Sequence, residues 1–197
     1  ELVDTLATQE RVDLFPSFVA RFPFIAISRM LGIPPEREDN FVSWAAGILR
    51  FDGDAARQFT NYLLPALEAR RREPRDDVLS ELCQVEVEGR RFEDEEVLSH
   101  IRLLFSAGAV TTMDALGNLL FALFSHPAYR VRAGEDETFL SAAIDELIRW
   151  ETPVAILPRL CLPGTQLEGE TIAPESQVLF AIAGANRDPE VFDDPDT

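Results

Sequence analysis

The sequence predicts a mainly α-helical chain with one long central helix and a small β region near its C-terminus. Three observations carry that prediction. Apolar residues recur at helical spacing through most of residues 1–150. The stretch LLFSAGAVTTMDALGNLLFALF, residues 103 to 124, is apolar for long enough to form a single helix. From Pro153 the pattern changes to short apolar runs divided by Pro and Gly, the texture of strands. Nothing repeats and no linker intervenes, so residues 1–197 read as one domain or part of a larger one, helical over 1–150 and short-stranded over 151–197.

The elements follow in chain order. Leu2 to Thr8 begins one helix, VDLF is a short extended piece, and Pro16 to Leu31 forms a second helix that stops at Gly32 with Pro34 beyond. A third runs through FVSWAAGIL and a fourth from about Asp54 to Arg72, with Pro65 as its kink and Pro74 past its end. The arginines of ARRREPR have the look of an anion site, but a solvated helix C-terminus that complements the macrodipole is the expected reading. After a short helix near Asp77 to Leu82, QVEVEGRRF alternates around Gly89 as a small hairpin. Acids from Glu93 to Glu96 open the long helix where its dipole favours them, and His126-Pro127 closes it. A helix from about Thr138 to Trp150 precedes the strands, two of which flank Pro174.

Composition narrows the function. The chain has 197 residues, 46% of them hydrophobic, enough to bury a sizeable core. A net charge of −17 argues against nucleic acid and anionic membrane surfaces as partners, since both would repel it. All 18 basic residues are arginine. Cys83 and Cys161 form neither a CxxC motif nor a disulfide framework, which fits a reducing cytoplasm. Glu1 opens inside an amphipathic pattern (Leu2, Val3, Leu6) with no signal peptide, so the first residue reads as a cut. The long apolar stretch is expected to be a buried helix of a soluble protein. A charge at its centre, here Asp114, costs roughly 2.5 to 3.5 kcal/mol in a membrane. His100 and His126 do not suggest a metal site, and no nucleophile constellation supports a hydrolase.

The middle of the long helix is built from poor helix formers. Gly108, Val110, Thr111 and Thr112 together penalise it by about 2 to 3 kcal/mol, which something outside local propensity must offset. At about 100° per residue Leu104, Ala107, Gly108, Thr111 and Ala115 share one face, a shallow groove of small residues that carries a hydroxyl. Close packing against a neighbouring helix is the alternative use of such a stripe. Further on, Glu146 and Arg149 stand at i, i+3 in DELIRW, which taken alone is an ordinary ion pair.

In order and spacing these pieces resemble the cytochrome P-450 family, the haem-thiolate monooxygenases. AGAVTT is similar to that family's oxygen-binding helix motif, [AG]-G-x-[DE]-T-[TS]. ELIR, residues 146–149, is similar to its E-x-x-R motif, ANRDPEVFDDPD to the turn that follows, and FPFIAISRMLGIPP to an earlier helix and its Gly-Ile-Pro stop. The resemblance implies a cytochrome P-450-like helical fold and a haem cofactor. Leu104, Ala107, Gly108 and Thr111 would lie against the haem, and Arg159 would meet a propionate. Thr111, with Thr112 beside it, would be the catalytic pair that helps deliver protons. Leu104, Val154, Ala155, Ile156 and Leu157 would line an apolar substrate pocket. Glu146 and Arg149 would form a buried structural pair, costly to break by about 3 to 5 kcal/mol.

Two departures from the family pattern matter. Val110 stands where the motif has an acid, and Asp114, one turn on, is expected to point to solvent or a neighbouring helix rather than to substitute for that acid. The chain also ends at Thr197, before the loop that bears the family's axial cysteine, and neither Cys83 nor Cys161 has a Gly-rich loop to present a thiolate to iron. The resemblance therefore implies a fragment of a bacterial cytoplasmic enzyme that is inactive alone and holds no metal ligand. Its parent would insert one oxygen atom from dioxygen into a small apolar organic substrate, with electrons from a ferredoxin-type donor. Two alternatives stay open. One is a haem-free homologue acting as a partner or activator of another enzyme, which Val110 favours; the other is an unrelated helical binding domain.

Overall fold

Helical periodicity is realised as α1 (Leu2–Ala7), α2 (Phe22–Leu31), α3 (Glu38–Leu49), α4 (Gly53–Arg72), α5 (Val78–Gln84) and the 32-residue α6 (Asp94–Ser125). The structure is a computed structural model that describes residues 2–196, and its contacts divide the chain into two units, one up to Gly117 and one from Asn118.

In the first unit four phenylalanines form the centre of the core. Phe105 of α6 stacks on Phe59 of α4 with ring centroids 4.5 Å apart, and takes Phe41 and Phe24 edge-on at 5.3 and 5.6 Å. Leu63, Leu67, Leu79 and Ile101 fill in around them, all fully buried. Edge-to-face and offset contacts suit the ring quadrupole, so the cluster fixes helix orientation as well as burying area.

The helix ends follow their sequence signals. Asp52 caps α4 by accepting from the amides of Asp54 and Ala55, and Asp77 caps α5 by accepting from the Ser80 amide. At the end of α2, Gly32 takes φ 76°, and a Cβ there would collide with the Asp77 carboxylate, so glycine is required twice over. A two-stranded hairpin, β1 (Glu86–Val87) with β2 (Arg90–Arg91), turns through Glu88 and Gly89, both at positive φ.

Some expectations are corrected. Leu14 enters a π-helical turn (Phe15–Val19) instead of continuing an extended VDLF, and the helix expected from Pro16 starts only at Phe22. The arginine run is neither an anion site nor wholly solvated. Arg70 is buried and bonds Asp77 Oδ2 at 2.7 Å and the Gly32 carbonyl at 3.4 Å. Arg71 reaches the carbonyls of Cys83 (2.5 Å) and Phe92 (2.6 Å) and pairs with Asp94. Arg70 thus satisfies a carbonyl at the end of α2, and Arg71 carbonyls at the end of α5 and before α6, which a sequence cannot display.

In the second unit α6 finishes, and α7 (Pro127–Glu135) and α8 (Glu137–Trp150) follow. The sequence pattern does not reveal α7 because AYRVRAGE has no clear apolar stripe. Proline at its first turn starts it, and Asp136 both ends it and caps α8 by accepting from Thr138 and Phe139. Beyond, β3 (Leu157–Cys161) pairs antiparallel with β6 (Ser176–Phe180), and between them β4 (Thr165–Leu167) pairs with β5 (Glu170–Ile172). A single-turn α9 (Ile182–Ala185) leads into the tail.

Candidate functional site

Burial on α6 is uneven. Val97, Leu98, Ile101, Phe105, Ser106 and Ala109 are buried, all in its first half, whereas Leu103, Leu104, Ala107 and Gly108 are exposed. The expectation of a long buried helix thus holds for one face of half the helix. By length and composition alone α6 could also cross a membrane, a test that core helices pass as well.

The motif block lies on the open side. Thr111 is half-buried and Thr112 exposed; their hydroxyls donate to the carbonyls of Ala107 and Gly108 at 2.8 and 2.7 Å. Each hydroxyl proton is thereby held by the helix one turn back, leaving the oxygen's lone pairs directed outward. Gly108 does two things. It is exposed on one side, and its missing side chain admits α2 on the other, because a Cβ would come within 3.3 Å of Ile27 Cδ1. Close helix packing therefore accounts for part of the propensity penalty of this block. Val110 is half-buried and packs against the core cluster.

In the second unit Arg149 is the hub. It grips Glu146 with two bonds, Nε to Oε2 at 2.8 Å and Nη2 to Oε1 at 2.6 Å. Its remaining nitrogen serves two carbonyls, Asn186 at 2.8 Å and Pro195 at 2.9 Å, and the guanidinium lies 5.1 Å from the Phe192 ring centre. The arginine side chain is 12% exposed but that of Glu146 is 55% exposed, so the pair is buried on one side only. The Glu146 carboxyl is held below its usual range by the hydrogen bonds from Arg149.

Sequence reasoning missed what surrounds this hub. Arg187 bonds the Trp150 carbonyl at 2.9 Å and Asp196 at 3.0 Å, tying the tail to the end of α8. The ANRDPEVFDDPD string signalled a turn, but the carbonyls it offers carry no residue identity.

Arg159 lies on β3, exposed, with only its neighbour Pro158's carbonyl as partner at 2.9 Å and no acid paired with it among the described residues. Val154, Ala155 and Ile156 lead into β3 and Leu157 begins it; Ala155 and Ile156 are exposed, and Val154 and Leu157 are half-buried. Cys83 is buried in the core, where burial pushes its thiol up from its ordinary pKa, and Cys161 donates to the Pro163 carbonyl at 3.0 Å.

A family model described as Cytochrome P450 matches residues 47–197. The chain belongs to the cytochrome P450 family. Among P450 relatives it is 34% identical to the vitamin D(3) 25-hydroxylase of Pseudonocardia autotrophica, over 99% of this chain and 50% of that protein. It is 28% identical to cyclomarin C epoxidase CymV of Salinispora arenicola, over 100% of this chain and 53% of that one. A solved structure of a mutant P450 EryK in complex with erythromycin B superposes with a TM-score of 0.89 at 29% identity, covering 100% of this chain and 54% of its own. The chain spans about half the length of the P450 relatives it matches.

A P450 implies a haem, and the residues present suit one in part. The exposed face at Ala107, Gly108 and Thr111 leaves room for a flat ring, and the Arg159 guanidinium is available to a carboxylate. Neither cysteine suits the iron: Cys83 is a thiol enclosed by core side chains, and the Cys161 sulfur is turned to a backbone carbonyl.

Proposed function

We propose that residues 1–197 are one partial P450 domain of a cytoplasmic haem-dependent monooxygenase, and that this portion alone is inactive because it offers the iron no thiolate. The parent would carry out RH + O2 + two electrons + two protons → ROH + water, or the matching epoxidation of a C=C bond. The electrons would come from a ferredoxin-type donor. The observation that carries this reading is the open, uncharged face of α6 at Ala107, Gly108 and Thr111, in a chain that belongs to the P450 family. The relatives named as a hydroxylase and an epoxidase support oxygen insertion as the reaction class.

When bound, the haem supplies the activation of dioxygen. The chain's residues do the rest. Leu104, Ala107 and Gly108 would offer the haem a low, uncharged surface, and Arg159 would supply a guanidinium for a propionate carboxylate. Thr111, with its hydroxyl proton committed to Ala107, accepts a hydrogen bond from water and so holds one at the reaction side; Thr112 stiffens the same turn. Leu104 in the first unit, and Val154, Ala155, Ile156 and Leu157 in the second, are apolar side chains that would favour a small apolar organic substrate. Glu146 and Arg149 act at a distance, fixing the tail from Asn186 to Pro195.

The deciding experiment is the absorption spectrum of the reduced, carbon monoxide-bound full-length protein. A Soret band at the thiolate position is the expected result. Absence of haem uptake would favour the second reading, a haem-free partner or activator of another enzyme, which the loss of the motif acid at Val110 supports.

A further inference from the structure

Helix α8 ends in a way that its own backbone cannot complete. Its last turn has no glycine, and Pro153 has no N–H to offer the carbonyl four residues back, so the closing carbonyls need partners from elsewhere. Three side chains supply them. Asn186 donates to the Ile148 carbonyl at 3.5 Å, Arg187 to that of Trp150 at 2.9 Å and Asn118 of α6 to that of Glu151 at 3.1 Å. The first two belong to the tail. Asn118 comes from the long helix, 33 positions back, and takes the carbonyl at which the chain leaves α8.

Beyond that carbonyl begins the segment proposed to face substrate. Thr152 to Ala155 separate the Asn118 bond from another remote one, in which the Ala183 amide donates to the Ala155 carbonyl at 3.1 Å. Between them the Val154 amide makes a local turn on Thr152 Oγ1 at 3.4 Å. The Asn118 bond orients the peptide plane that follows Glu151, whose backbone at φ −122° and ψ 68° has already left the helical region. Val154 lies three residues further on, a reach of up to ~10 Å, so a turn of ~10° in that plane displaces it by roughly 1 to 2 Å. Beside the bond, Phe121, Ala122, Leu147 and Trp150 line an apolar recess of about 340 Å³ that Asn118 and Glu151 border. Side chains do not fill the space between α6 and the end of α8 there, and the asparagine amide bridges it.

We propose that Asn118 is a positioning residue for substrate selection: its hydrogen bond to the Glu151 carbonyl sets where the apolar wall of Val154, Ala155, Ile156 and Leu157 stands. This rests on the monooxygenase reading above. Asn118 acts through the backbone of Glu151 and Thr152, so its influence falls on how a ligand fits that wall. The amide suits the task because it donates without bringing a charge to the edge of an apolar recess. Asn186 and Arg187 hold the preceding turn, so loss of the Asn118 bond loosens the exit from α8 and leaves the helix itself anchored.

The test uses Asn118→Asp in the full-length, haem-loaded protein, which keeps the shape of the side chain and removes the donor; Asn118→Ala, which adds no charge, is the second variant and should act in the same direction. Two azoles serve as probes. Imidazole takes the iron with its nitrogen alone, whereas 4-phenylimidazole does so while pressing an apolar ring on the surrounding wall. The carbon monoxide spectrum and the imidazole affinity should stay at wild-type values, and the 4-phenylimidazole affinity should fall about tenfold, the scale on which an ångström of misplacement acts. Hydrogen exchange should quicken at the amides of Thr152 to Ile156 and stay unchanged in the first turns of α8. Asn118→Gln, which keeps the donor and has the recess to take its extra methylene, should recover most of the affinity. Faster exchange with the 4-phenylimidazole affinity unchanged would make Asn118 a helix cap without a part in selection, and equal losses for both azoles would place the effect at the haem as a whole. Either result overturns this inference and leaves the monooxygenase reading standing. A wild type with no thiolate Soret band sinks both.

Discussion

Two arginine–carboxylate pairs, one in each unit, look alike in distance and differ in surroundings. Arg70 meets Asp77 at 2.7 Å with side chains 10% and 6% exposed. Arg149 meets Glu146 at 2.6 Å with side chains 12% and 55% exposed. The arginines are equally enclosed; the acids are not. In the first pair both charges have left water, so each depends on the other. In the second the carboxylate keeps its hydration, and the arginine's more demanding partners are the carbonyls of Asn186 and Pro195. The family resemblance singles out the second pair as the costly one, and enclosure gives that place to the first.

The sharpest way to break this comparison is to remove one charge from the enclosed pair. Arg70→Ala should destabilise the first unit by about 3 to 5 kcal/mol, because it strands the Asp77 carboxylate and leaves the Gly32 carbonyl without its guanidinium. Urea denaturation of the wild type and variant measures it. A loss below about 1 kcal/mol, the scale of exposed pairs, would end the distinction between the two.

The same pair predicts an acid limb. Burial alone would raise the Asp77 carboxyl, but hydrogen bonds from Ser80 and Arg70 outweigh it and hold the group below its usual range. A folded-state pKa below the unfolded value of about 3.9 means that the contribution is complete above that pH and is lost as pH falls through the folded value. Asp77→Asn should therefore flatten the stability profile below about pH 4 while lowering stability at neutral pH. Its amide oxygen keeps an acceptor for the Ser80 amide, so the effect reports charge more than capping.

For the half-open pair the two partners should separate. Arg149→Ala removes the bonds to two carbonyls and the Phe192 contact and should lower the thermal midpoint clearly. Glu146→Gln loses only an acid that water can solvate and should lower it less. Arg149→Lys should resemble the alanine variant, since one ammonium cannot span a carboxylate and two carbonyls in a plane. Equal losses from Arg149→Ala and Glu146→Gln would show that the ion pair itself, and not the carbonyl contacts, holds the tail.

Whether a residue's role can be read in the sequence depends on whether that role is local. Gly32, Pro74, the hairpin at Gly89 and the acids opening α6 were legible because each acts on its own backbone. So were the motif block on α6 and the Glu146–Arg149 spacing, which helix periodicity places without tertiary knowledge. Arg70 and Arg71 were not, because their partners lie 38 and 12 or 21 positions away and are mostly backbone carbonyls. For Gly108 the sequence offered close helix packing as an alternative but not the partner: Ile27 is remote in sequence, and only the crossing of α2 and α6 brings its Cδ1 to the glycine. Helix α7 shows the reverse failure, since a helix with no buried residue leaves little trace in hydrophobic pattern.

A third pair serves as the control, and its effect should be the smallest. Arg90 on the hairpin grips Glu96 with two bonds of 2.6 Å, a geometry as good as either pair above, while the side chains are 60% and 36% exposed. The Arg90 hydrogen bonds hold the Glu96 carboxyl down at about 2, helped by the Glu93 amide. If geometry governed stability, Glu96→Gln would rival Asp77→Asn. If burial governs it, Glu96→Gln should shift the thermal midpoint only slightly, because glutamine still accepts from the Glu93 amide and water replaces the guanidinium. Salt separates the two: at about 1 M the Debye length is about 3 Å, so the small Glu96 effect should vanish while the Asp77 effect persists. A Glu96→Gln loss that matches Asp77→Asn and survives high salt would mean that enclosure is not what distinguishes the Arg70 pair.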